Sequence, residues 1–283
     1  MERLASKEEV RHSVADARRE SKRVALVPTM GALHDGHLSL VAAACQRADY
    51  VVASVFVNPT QFGPGEDFEA YPRDLERDLG LLAAEGANAV FTPSVAEMYA
   101  ADAQVSVEPG PLGTLWEGAV RPTHFAGVCT VVTKLFAVVQ PDLAFFGEKD
   151  YQQLQVIKRM VRDLDFPIKV IGCPIVRESD GLAMSSRNVY LSPEERRAAT
   201  VLYRSLRTAE TLALGGERDA RVLADAMRET VASEPLASAD YADVVDAVTL
   251  EPATALGDVP VRAILAARLG STRLIDNLAL VAG

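Results

Sequence analysis

Short apolar runs alternate with longer segments of helical spacing between Val24 and about Pro174, and this alternation limits the possible folds more than any other feature. One run, Tyr50–Val57, is apolar almost throughout, which is typical of a strand covered on both faces. Strands that alternate with helices predict a parallel sheet with helices on both of its faces. We therefore expect an α/β, Rossmann-like, doubly wound domain. The predicted strands are Arg23–Val27, Tyr50–Val57, Asn88–Phe91, Leu143–Phe146 and Ile168–Cys173. The first predicted helix carries Leu38, Val41, Ala42 and Cys45 on one face, and the others span Arg73–Gly86, Gly127–Gln140 and Tyr151–Leu164.

The pattern changes after about Val176, where helices come first and strands follow. Ser192, Pro193 and Glu195 match the preferences of a helix start, and helical spacing continues to about Ala213. This order predicts an α+β domain, so we expect one domain over residues 1–176 and a smaller one over residues 177–283. Its predicted elements are a second helix to about Ser233 and strands at Asp240–Thr249, Val261–Ala267 and Arg273–Leu280.

Composition restricts the partners and the compartment. Of 283 residues, 49% are hydrophobic and 24% charged, which favours a sizeable core over disorder. The net charge of −10 opposes binding to nucleic acids and anionic membranes, so an anionic ligand needs a local group of donors. Cys45, Cys129 and Cys173 lie far apart, the segment Met1–Lys22 lacks an apolar signal core, and no run is long and apolar enough to span a membrane. These features predict a cytoplasmic protein.

The histidine turn, Pro28–His37, lies where the first predicted strand leads into a helix, and it holds two of the four histidines. Backbone N–H groups and the positive end of a helix dipole favour a bound phosphate at such a turn. Gly31 and Gly36 would let the backbone approach that ligand closely. An HxxH pair also occurs on surface loops and in metal sites, but no third metal ligand lies at helical spacing here. We therefore interpret the turn, with His34 and His37, as a functional site and not as a pair of surface histidines.

A polar loop, Asn58–Asp67, begins where the Tyr50–Val57 strand ends. In open parallel sheets, ligands bind outside the carboxyl ends of the strands. Asn58 and Gln61 offer neutral donors and acceptors at that position, and the Gly-Pro-Gly run that follows is consistent with a mobile flap. An ordinary polar loop would have the same composition, so the loop is a weaker candidate than the histidine turn.

The segment Gly147–Gln153 follows another predicted strand and opens the next helix. Lys149 lies near the N-terminus of that helix, where the helix dipole favours an acidic residue. Two positive features at one place are consistent with a bound anion, and a solvated helix cap is the alternative. Asp150 is interpreted as the cap, and Gln153 lies one turn inside the helix.

The serine–arginine loop, Gly181–Asn188, contains small residues, two hydroxyl groups and one guanidinium group. Hydroxyl and N–H groups can bind the oxygens of a triphosphate, and Arg187 can neutralise its charge. A loop between two domains can also be a flexible linker that lets the smaller domain close as a lid over a ligand. A further block, Arg121–Gly127, places His124 before a helix and is equally consistent with a simple N-cap.

The HxGH turn after a strand and the distant Met-Ser-Ser-Arg loop resemble the nucleotidyltransferase superfamily that transfers adenylyl groups. Within that superfamily, the chain resembles the pantoate–β-alanine ligase family. The resemblance runs from about Val24 to Leu191 and continues more loosely through Ala266–Gly270. The blocks that carry it are Pro28–His37, Asn58–Phe62, Tyr71–Arg73, His124–Gly127, Phe146–Gln153 and Gly181–Asn188.

The resemblance implies an ATP-dependent ligase that joins pantoate to β-alanine through pantoyl adenylate and releases AMP and pyrophosphate. It also implies a homodimer and Mg²⁺ held by phosphate oxygens and water, with no protein metal ligand named. Pantoate is a carboxylate with a pKa of about 4, so it is already an anionic nucleophile at neutral pH. Catalysis then requires alignment and charge neutralisation instead of a strong base.

The implied roles divide into phosphate binding and pantoate binding. His34 and His37 would hydrogen-bond the phosphates, with His37 as a proton donor. Lys149 and Arg187 would stabilise the charge on the leaving pyrophosphate, which completes a catalytic set of four. The expected ATP-binding residues are Met30, Gly31, Ala32, Leu33, His34, Asp35, Gly36, His37, Gly147, Glu148, Lys149, Asp150, Val176, Met184, Ser185, Ser186 and Arg187. The expected pantoate-binding residues are Asn58, Gln61 and Gln153, with Gln61 also near β-alanine.

Two other functions stay open on the sequence alone. Adenylyltransferases that keep the nucleotide on their product, such as those acting on phosphopantetheine or nicotinamide mononucleotide, use the same turn. The Gln61 and Gln153 blocks come without a basic patch for a phosphorylated acceptor, which favours the ligase. A non-catalytic nucleotide-binding module would bind ATP without exchanging pyrophosphate. Release of AMP separates a ligase from a transferase.

Overall fold

Six parallel strands form one sheet within residues 1–281, the part of the chain that the computed structural model describes. They are β1 (Glu2–Leu4), β2 (Val24–Thr29), β3 (Tyr50–Val55), β4 (Ala89–Phe91), β5 (Leu143–Gly147) and β6 (Lys169–Cys173). Their order across the sheet is β1-β4-β3-β2-β5-β6. The chain therefore winds outward from β2 in both directions, and the order reverses between β2 and β5. In such sheets, ligands bind at the carboxyl ends of the strands beside the reversal.

Helices cover both faces of this sheet. Alternate residues of β2 point to opposite faces, since side chains in a strand alternate. Ala25 and Val27 pack with residues of α2 and α3, whereas Val24 and Leu26 are fully buried on the face where α1 and α6 lie. The predicted α/β class with a parallel sheet is thus confirmed. The helices of this part are α1 (Lys7–Arg19), α2 (Asp35–Cys45), α3 (Leu75–Ala84), α4 (Val95–Met98), α5 (Glu117–Val120), α6 (His124–Val139) and α7 (Tyr151–Asp163).

A separate antiparallel sheet of three strands lies in the C-terminal part of the described chain. Its strands are β7 (Ala237–Asp246), β8 (Val261–Leu269) and β9 (Thr272–Leu280), in the order β7-β8-β9. The accompanying helices are α8 (Pro193–Ala198), α9 (Val201–Leu214) and α10 (Ala220–Ala232). Leu206 of α9 and Met227 of α10 are fully buried in one core with Leu265 of β8. This is the predicted α+β arrangement of helices followed by strands.

The chain divides into two compact units. The first contains Met1–Glu148 and Gln152–Pro174, and the second contains Lys149–Tyr151 together with the chain from Ile175 onward. Lys149–Tyr151 therefore group with the second unit, although they directly follow β5. No helix within residues 1–281 is long and apolar enough to cross a membrane.

Three elements differ from the sequence-based expectation. The sequence pattern predicts nothing before Arg23, but β1 and α1 lie there, and Ser6 caps α1 in a capping box with Glu9. The single helical stretch predicted from Ser192 is two helices: α8 ends at Ala198, and α9 begins three residues later at Val201. Finally, β7 begins at Ala237, since β8 continues to pair with it beyond a bulge.

Candidate active site

The histidine turn connects β2 to α2, next to the reversal of strand order. His34 is the N-cap of α2, and its Nδ1 accepts a hydrogen bond from the N–H of Gly36 at 3.1 Å. Nδ1 of His37 accepts the N–H of His34 at 3.4 Å, which completes a reciprocal capping box. The ring centroids lie 4.1 Å apart. Because each Nδ1 is an acceptor, each neutral imidazole carries its proton on Nε2 and can donate it to an anionic oxygen.

A buried carboxylate on α3 holds the first half of the same turn. Asp78 is 1% exposed, and its two oxygens accept the N–H groups of Ala32 at 2.9 Å and Leu33 at 2.8 Å. Nη1 of the neighbouring Arg77 donates to the carbonyl of Leu33 at 2.9 Å. Gly31 and Ala32 both have a left-handed backbone, with φ of 81° and 50°. A Cβ on Gly31 would lie 2.9 Å from the Asp78 carboxylate, so only glycine fits there.

These contacts change what the turn offers a ligand. The sequence predicts backbone N–H groups that are available to a phosphate at this point. The N–H groups of Ala32, Leu33 and Gly36 instead donate to side chains of the protein. These three N–H groups are therefore already hydrogen-bonded within the protein.

Three predicted residues meet at the ends of the neighbouring strands β2 and β3, and we call them the amide cluster: Met30, Asn58 and Gln61. Nδ2 of Asn58 donates to Oε1 of Gln61 at 3.2 Å, and Nε2 of Gln61 contacts Sδ of Met30 at 2.9 Å. The hydroxyl of Tyr99 donates to Oδ1 of Asn58 at 2.8 Å. Asn58 and Gln61 are 1% and 7% exposed, so both amides are held in fixed orientations. Neutral amides so placed can bind hydroxyl and carboxylate groups of a small acid.

The backbone of Gln61 is held from α6 and the segment before it. Its carbonyl accepts Nδ1–H of His124 at 3.0 Å and Nη2–H of Arg121 at 3.2 Å. Burial lowers the pKa of His124 to about 4, so the ring is neutral at pH 7 and donates from Nδ1. A Cβ on Gly127 would overlap the backbone of Thr60, so α6 packs directly against this turn. His124 makes no side-chain N-cap bond; it positions Gln61.

The arginine that shares this contact belongs to a partly buried ion pair. Arg121 donates to Glu66 from Nε at 2.8 Å and from Nη2 at 2.5 Å. Burial by itself would raise the pKa of the Glu66 carboxyl, but the hydrogen bonds and charge of Arg121 outweigh it and lower that pKa. Arg121 thus holds Glu66, the residue that follows the Gly-Pro-Gly segment.

The segment after β5 is built differently from its prediction. Gly147 is the last residue of β5, and Glu148–Asp150 form a 3-10 turn that runs straight into α7. Asp150, expected as a helix cap, therefore ends that turn, with its Oδ1 4.0 Å from Nζ of Lys149.

Gln152 and Gln153 of α7 differ in burial and in their partners. Gln152 is buried, and it accepts the N–H of Glu117 at 3.0 Å and donates to the carbonyls of Leu112 and Leu115 at 2.9 and 2.8 Å. Gln153, the predicted pantoate ligand, is partly buried. Within residues 1–281 it forms no hydrogen bond to Asn58 or Gln61.

The serine–arginine loop of the second unit begins within a hairpin that pairs Val176–Glu178 with Leu182–Met184. The N–H of Met184 donates to the carbonyl of Val176 at 3.0 Å, and Arg177 pairs with Ala183 across the hairpin. Ser185 caps a 3-10 turn over Ser186–Tyr190, where its Oγ accepts the N–H of Arg187 at 3.3 Å. Two predicted ATP-binding positions, Val176 and Met184, are thus adjacent in space.

The predicted site residues therefore form two groups, one in each unit. The first unit holds His34, His37 and the amide cluster, and the second holds Lys149, Val176 and Met184–Arg187. The sequence reasoning missed Asp78, although a signal was present. Asp78 occupies the helical stripe of Leu75, Leu79 and Leu82, where an acid at an inward position needs a buried partner.

A parallel sheet with an HxGH turn at its reversal of strand order defines an α/β protein of the nucleotide-binding class. A family model described as Pantoate-beta-alanine ligase matches residues 2–279. The chain belongs to the pantoate–beta-alanine ligase family, as the sequence resemblance predicts.

Related proteins match this chain in sequence and structure over nearly its full length. A pantothenate synthetase of Rubrobacter xylanophilus is 58% identical over 284 residues, which is 98% of this chain and 98% of the relative. A pantothenate synthetase of Thermus thermophilus superposes with a TM-score of 0.94 at 50% identity, covering 99% of this chain and 100% of that one. A pantoate-beta-alanine ligase of Francisella tularensis, described as complexed with Beta-gamma ATP and beta-alanine, gives a TM-score of 0.81 at 33% identity, covering 99% and 97%.

Proposed function

We propose that this chain joins pantoate to β-alanine in an ATP-dependent reaction that passes through pantoyl adenylate and releases AMP and pyrophosphate. The observation that carries the proposal is the family match over residues 2–279, in a chain whose HxGH imidazoles are both fixed with Nδ1 toward the backbone. We extend to this chain the ligands named for the Francisella tularensis relative, Beta-gamma ATP and beta-alanine.

In the first half-reaction, a carboxylate oxygen of pantoate attacks the α-phosphorus of ATP. A bond forms between that oxygen and phosphorus, and the bond to the bridging oxygen breaks, so pyrophosphate leaves with the electron pair. His34 and His37 donate Nε2–H groups to the phosphates, with His37 as the donor to the developing charge. Lys149 and Arg187 supply two positive charges to the pyrophosphate. These interactions strengthen as charge moves onto the leaving group, which is how they accelerate the step.

In the second half-reaction, the neutral amine of β-alanine attacks the acyl carbon of pantoyl adenylate. The amide bond forms, the bond from carbon to the AMP oxygen breaks, and the amine loses one proton. Asn58 and Gln61 hold pantoate in place through both steps, since a buried, hydrogen-bonded amide pair fixes direction without adding charge. Gln153 completes the pantoate set, and Gln61 also lies next to β-alanine.

The remaining ATP-binding positions are those predicted from the sequence. They are Met30–Gly36, Gly147, Glu148, Asp150, Val176 and Met184–Ser186. Support comes from the second unit, where the N–H of Met184 donates to the carbonyl of Val176 and the hydroxyl oxygen of Ser185 accepts the N–H of Arg187. Ordered hydroxyl and N–H groups are suitable ligands for phosphate and ribose oxygens.

The proposal also includes bound Mg²⁺, a homodimer and a cytoplasmic location. Mg²⁺ would be held by phosphate oxygens of ATP and by water, the ligands that it prefers, and it would neutralise charge on the phosphates. The described residues contain no group of three or more His, Cys, Asp or Glu side chains arranged to hold a metal ion. We also propose a cytoplasmic homodimer, which light scattering at micromolar concentration would test: a monomer mass there would contradict the dimer.

The experiment that tests the reaction is the exchange of labelled pyrophosphate into ATP, with and without pantoate. The expected result is exchange only when pantoate is present, and release of AMP once β-alanine is added. Exchange that needs no pantoate, or a nucleotide retained on the product, would indicate an adenylyltransferase. ATP binding without any exchange would indicate a non-catalytic module.

Matched variants test the residue roles in the same assay. We expect His37→Ala and Lys149→Ala each to lower kcat by about 100-fold or more, because loss of a transition-state donor costs on the order of 3 kcal/mol. The controls are His12→Ala and Lys158→Ala, which remove the same side-chain types at exposed helical positions. Near-normal kcat in a folded His37 or Lys149 variant would contradict the assigned role.

A further inference from the structure

Two consecutive polar residues are buried in β9, a strand that is otherwise largely apolar. Asp276 and Asn277 are each 2% exposed, among neighbours such as Leu274 and Leu280 that belong to the apolar core. Burial of polar groups is unfavourable unless they are hydrogen-bonded, so such a pair needs specific partners. Those partners lie on the two segments of the second unit that carry the proposed cationic residues.

Asn277 holds the main chain of Lys149. Its Nδ2 donates to the carbonyl of Lys149 at 2.9 Å. The same short segment is fixed at Tyr151, whose hydroxyl donates to the carbonyl of Ala247 at 2.8 Å and whose ring centroid lies 3.8 Å from the guanidinium carbon of Arg262. Residues of the second unit thus hold the backbone of Lys149 and the neighbouring Tyr151.

Asp276 holds the hairpin through Arg177. Both guanidinium nitrogens of Arg177 donate to the carboxylate, at 2.6 and 2.9 Å. Arg177 also donates to the carbonyls of Gly181 at 3.0 Å and Asn277 at 3.4 Å. Burial raises the pKa of Asp276, while the charge and hydrogen bonds of Arg177 oppose that rise. A bidentate, buried pair of this kind fixes geometry in a way that an exposed pair does not.

The two contacts are coupled through the strand itself. The N–H of Asn277 donates to Oδ1 of Asp276 at 2.7 Å, so the residue that holds Lys149 also bonds to the carboxylate that holds Arg177. From Arg177 the hairpin continues to Ala183 and on to Ser185 and Arg187. Asp276 and Asn277, two buried residues of β9, therefore hold both the Lys149 segment and the hairpin.

We propose that Asp276 and Asn277 are positioning residues, which fix Lys149 and the serine–arginine loop in one arrangement within the second unit. This inference rests on the proposed function, in which Lys149 and Arg187 act on the leaving pyrophosphate. Neither β9 residue is assigned a contact with substrate. Asn277 acts through Lys149, and Asp276 acts through Arg177 and the hairpin that leads to Arg187. A shift of about 1 Å in such a group is enough to lower a rate by about 100-fold.

The test is a double-mutant cycle on Asn277 and Lys149 in the pyrophosphate exchange assay. We expect Asn277→Ala to lower kcat by about 10-fold or more, with the KM for pantoate changed by less than about 2-fold. In the Lys149→Ala background the same substitution should change kcat by less than about 2-fold, because the group it positions is gone. A residue that only stabilises the fold would give equal losses in both backgrounds, which would overturn the proposal.

An isosteric variant covers the case in which truncation unfolds the second unit. Asn277→Asp keeps the volume but turns an oxygen toward the Lys149 carbonyl in place of the donor, so we expect a similar loss of kcat. The matched control is Asp240→Asn, on an exposed residue of β7 whose carboxylate pairs with Arg268 and Arg273, away from this network. A folded Asn277 variant with wild-type kcat would refute the positioning role.

The outcome for wild-type protein separates this inference from the proposed function. If wild-type protein shows no pantoate-dependent exchange, the proposed function fails. Binding of inorganic pyrophosphate, measured by calorimetry, then decides the positioning role by itself. Weaker binding in Asn277→Asp but not in Asp240→Asn supports it, and equal binding in the two variants overturns it.

Discussion

Replacement of Asp78 by asparagine tests whether a buried carboxylate sets the position of the HxGH turn. The carboxylate accepts two backbone N–H groups, from Ala32 and Leu33, at 2.9 and 2.8 Å. Asparagine has the same shape, but only one of its two terminal atoms can accept. Its NH₂ group would face one of the two N–H groups, and that donor would lose its acceptor in a site that is 1% exposed.

The magnitude follows from that single lost contact. A buried donor without an acceptor costs about 1–3 kcal/mol. We therefore expect urea unfolding to show a decrease of about 1–3 kcal/mol in the unfolding free energy of Asp78→Asn. The turn also carries His34 and His37, so the folded variant should lose transition-state stabilisation. A loss of the same size lowers the rate of pyrophosphate exchange by about 5- to 160-fold.

A carboxylate-to-amide change elsewhere on the same helix is the control. Glu76 lies on α3 with its side chain 83% exposed, paired with Arg3. Exposed pairs of this kind contribute little, so Glu76→Gln should stay within about 0.5 kcal/mol of wild type with unchanged exchange. An Asp78→Asn protein with wild-type stability and exchange would refute the reasoning. Lower stability with unchanged exchange per folded molecule would refute only the link to the histidines.

Two further predictions concern the turn that carries Gln61. Burial holds the pKa of His124 at about 4, below its ordinary value of 6.5, so the unfolded chain binds a proton more readily than the folded chain does. The contribution of the neutral His124 ring to the unfolding free energy is therefore complete above pH 6.5. It decreases by roughly 3 kcal/mol as the pH falls toward 4. Urea unfolding of His124→Gln across that range should show a shallower pH dependence than wild type, and an unchanged slope would contradict the assignment. A Cβ on Gly127 would overlap the Thr60 carbonyl, so Gly127→Ala should cost about 1–3 kcal/mol and raise the KM for pantoate, measured by urea unfolding and steady-state kinetics. Gly80→Ala, at a helical position with nothing within 4 Å of the added Cβ, should not destabilise the protein.

The sheet was predictable because each of its longer strands carries its own signal. Tyr50–Val57 is apolar almost throughout, and strands of this kind are recognisable without tertiary information. The first helix was not predictable from apolar spacing to the same degree. Only Val10, Val14 and Ala17 mark the inner face of α1 among many charged residues, and the local signal was the Ser6 capping box.

The site divides in the same way between local and tertiary information. The histidine turn and Asn58–Gln61 were predictable, because the carboxyl ends of neighbouring parallel strands meet at one edge of a sheet. Gln152 and Gln153 illustrate the limit. They are successive residues on a helix, about 100° apart, so which one is buried depends on where the helix packs. The structure buries Gln152 against the segment from Leu112 to Glu117, a contact across 35 or more residues of sequence.

The partners of Asp78 and Asn277 have a common consequence for how an acidic chain can hold a triphosphate. The net charge of −10 gives no general attraction for ATP, and the N–H groups of Ala32 and Leu33 are already committed to Asp78. The proposed phosphate ligands therefore include side chains, and side chains act on a transition state only when they are held in place. Buried polar residues on α3 and β9 provide that support: one fixes the turn of the imidazoles, and the other fixes the backbone of Lys149. The proposed chemistry therefore depends also on Asp78 and Asn277, two buried polar residues that are not themselves assigned to bind substrate.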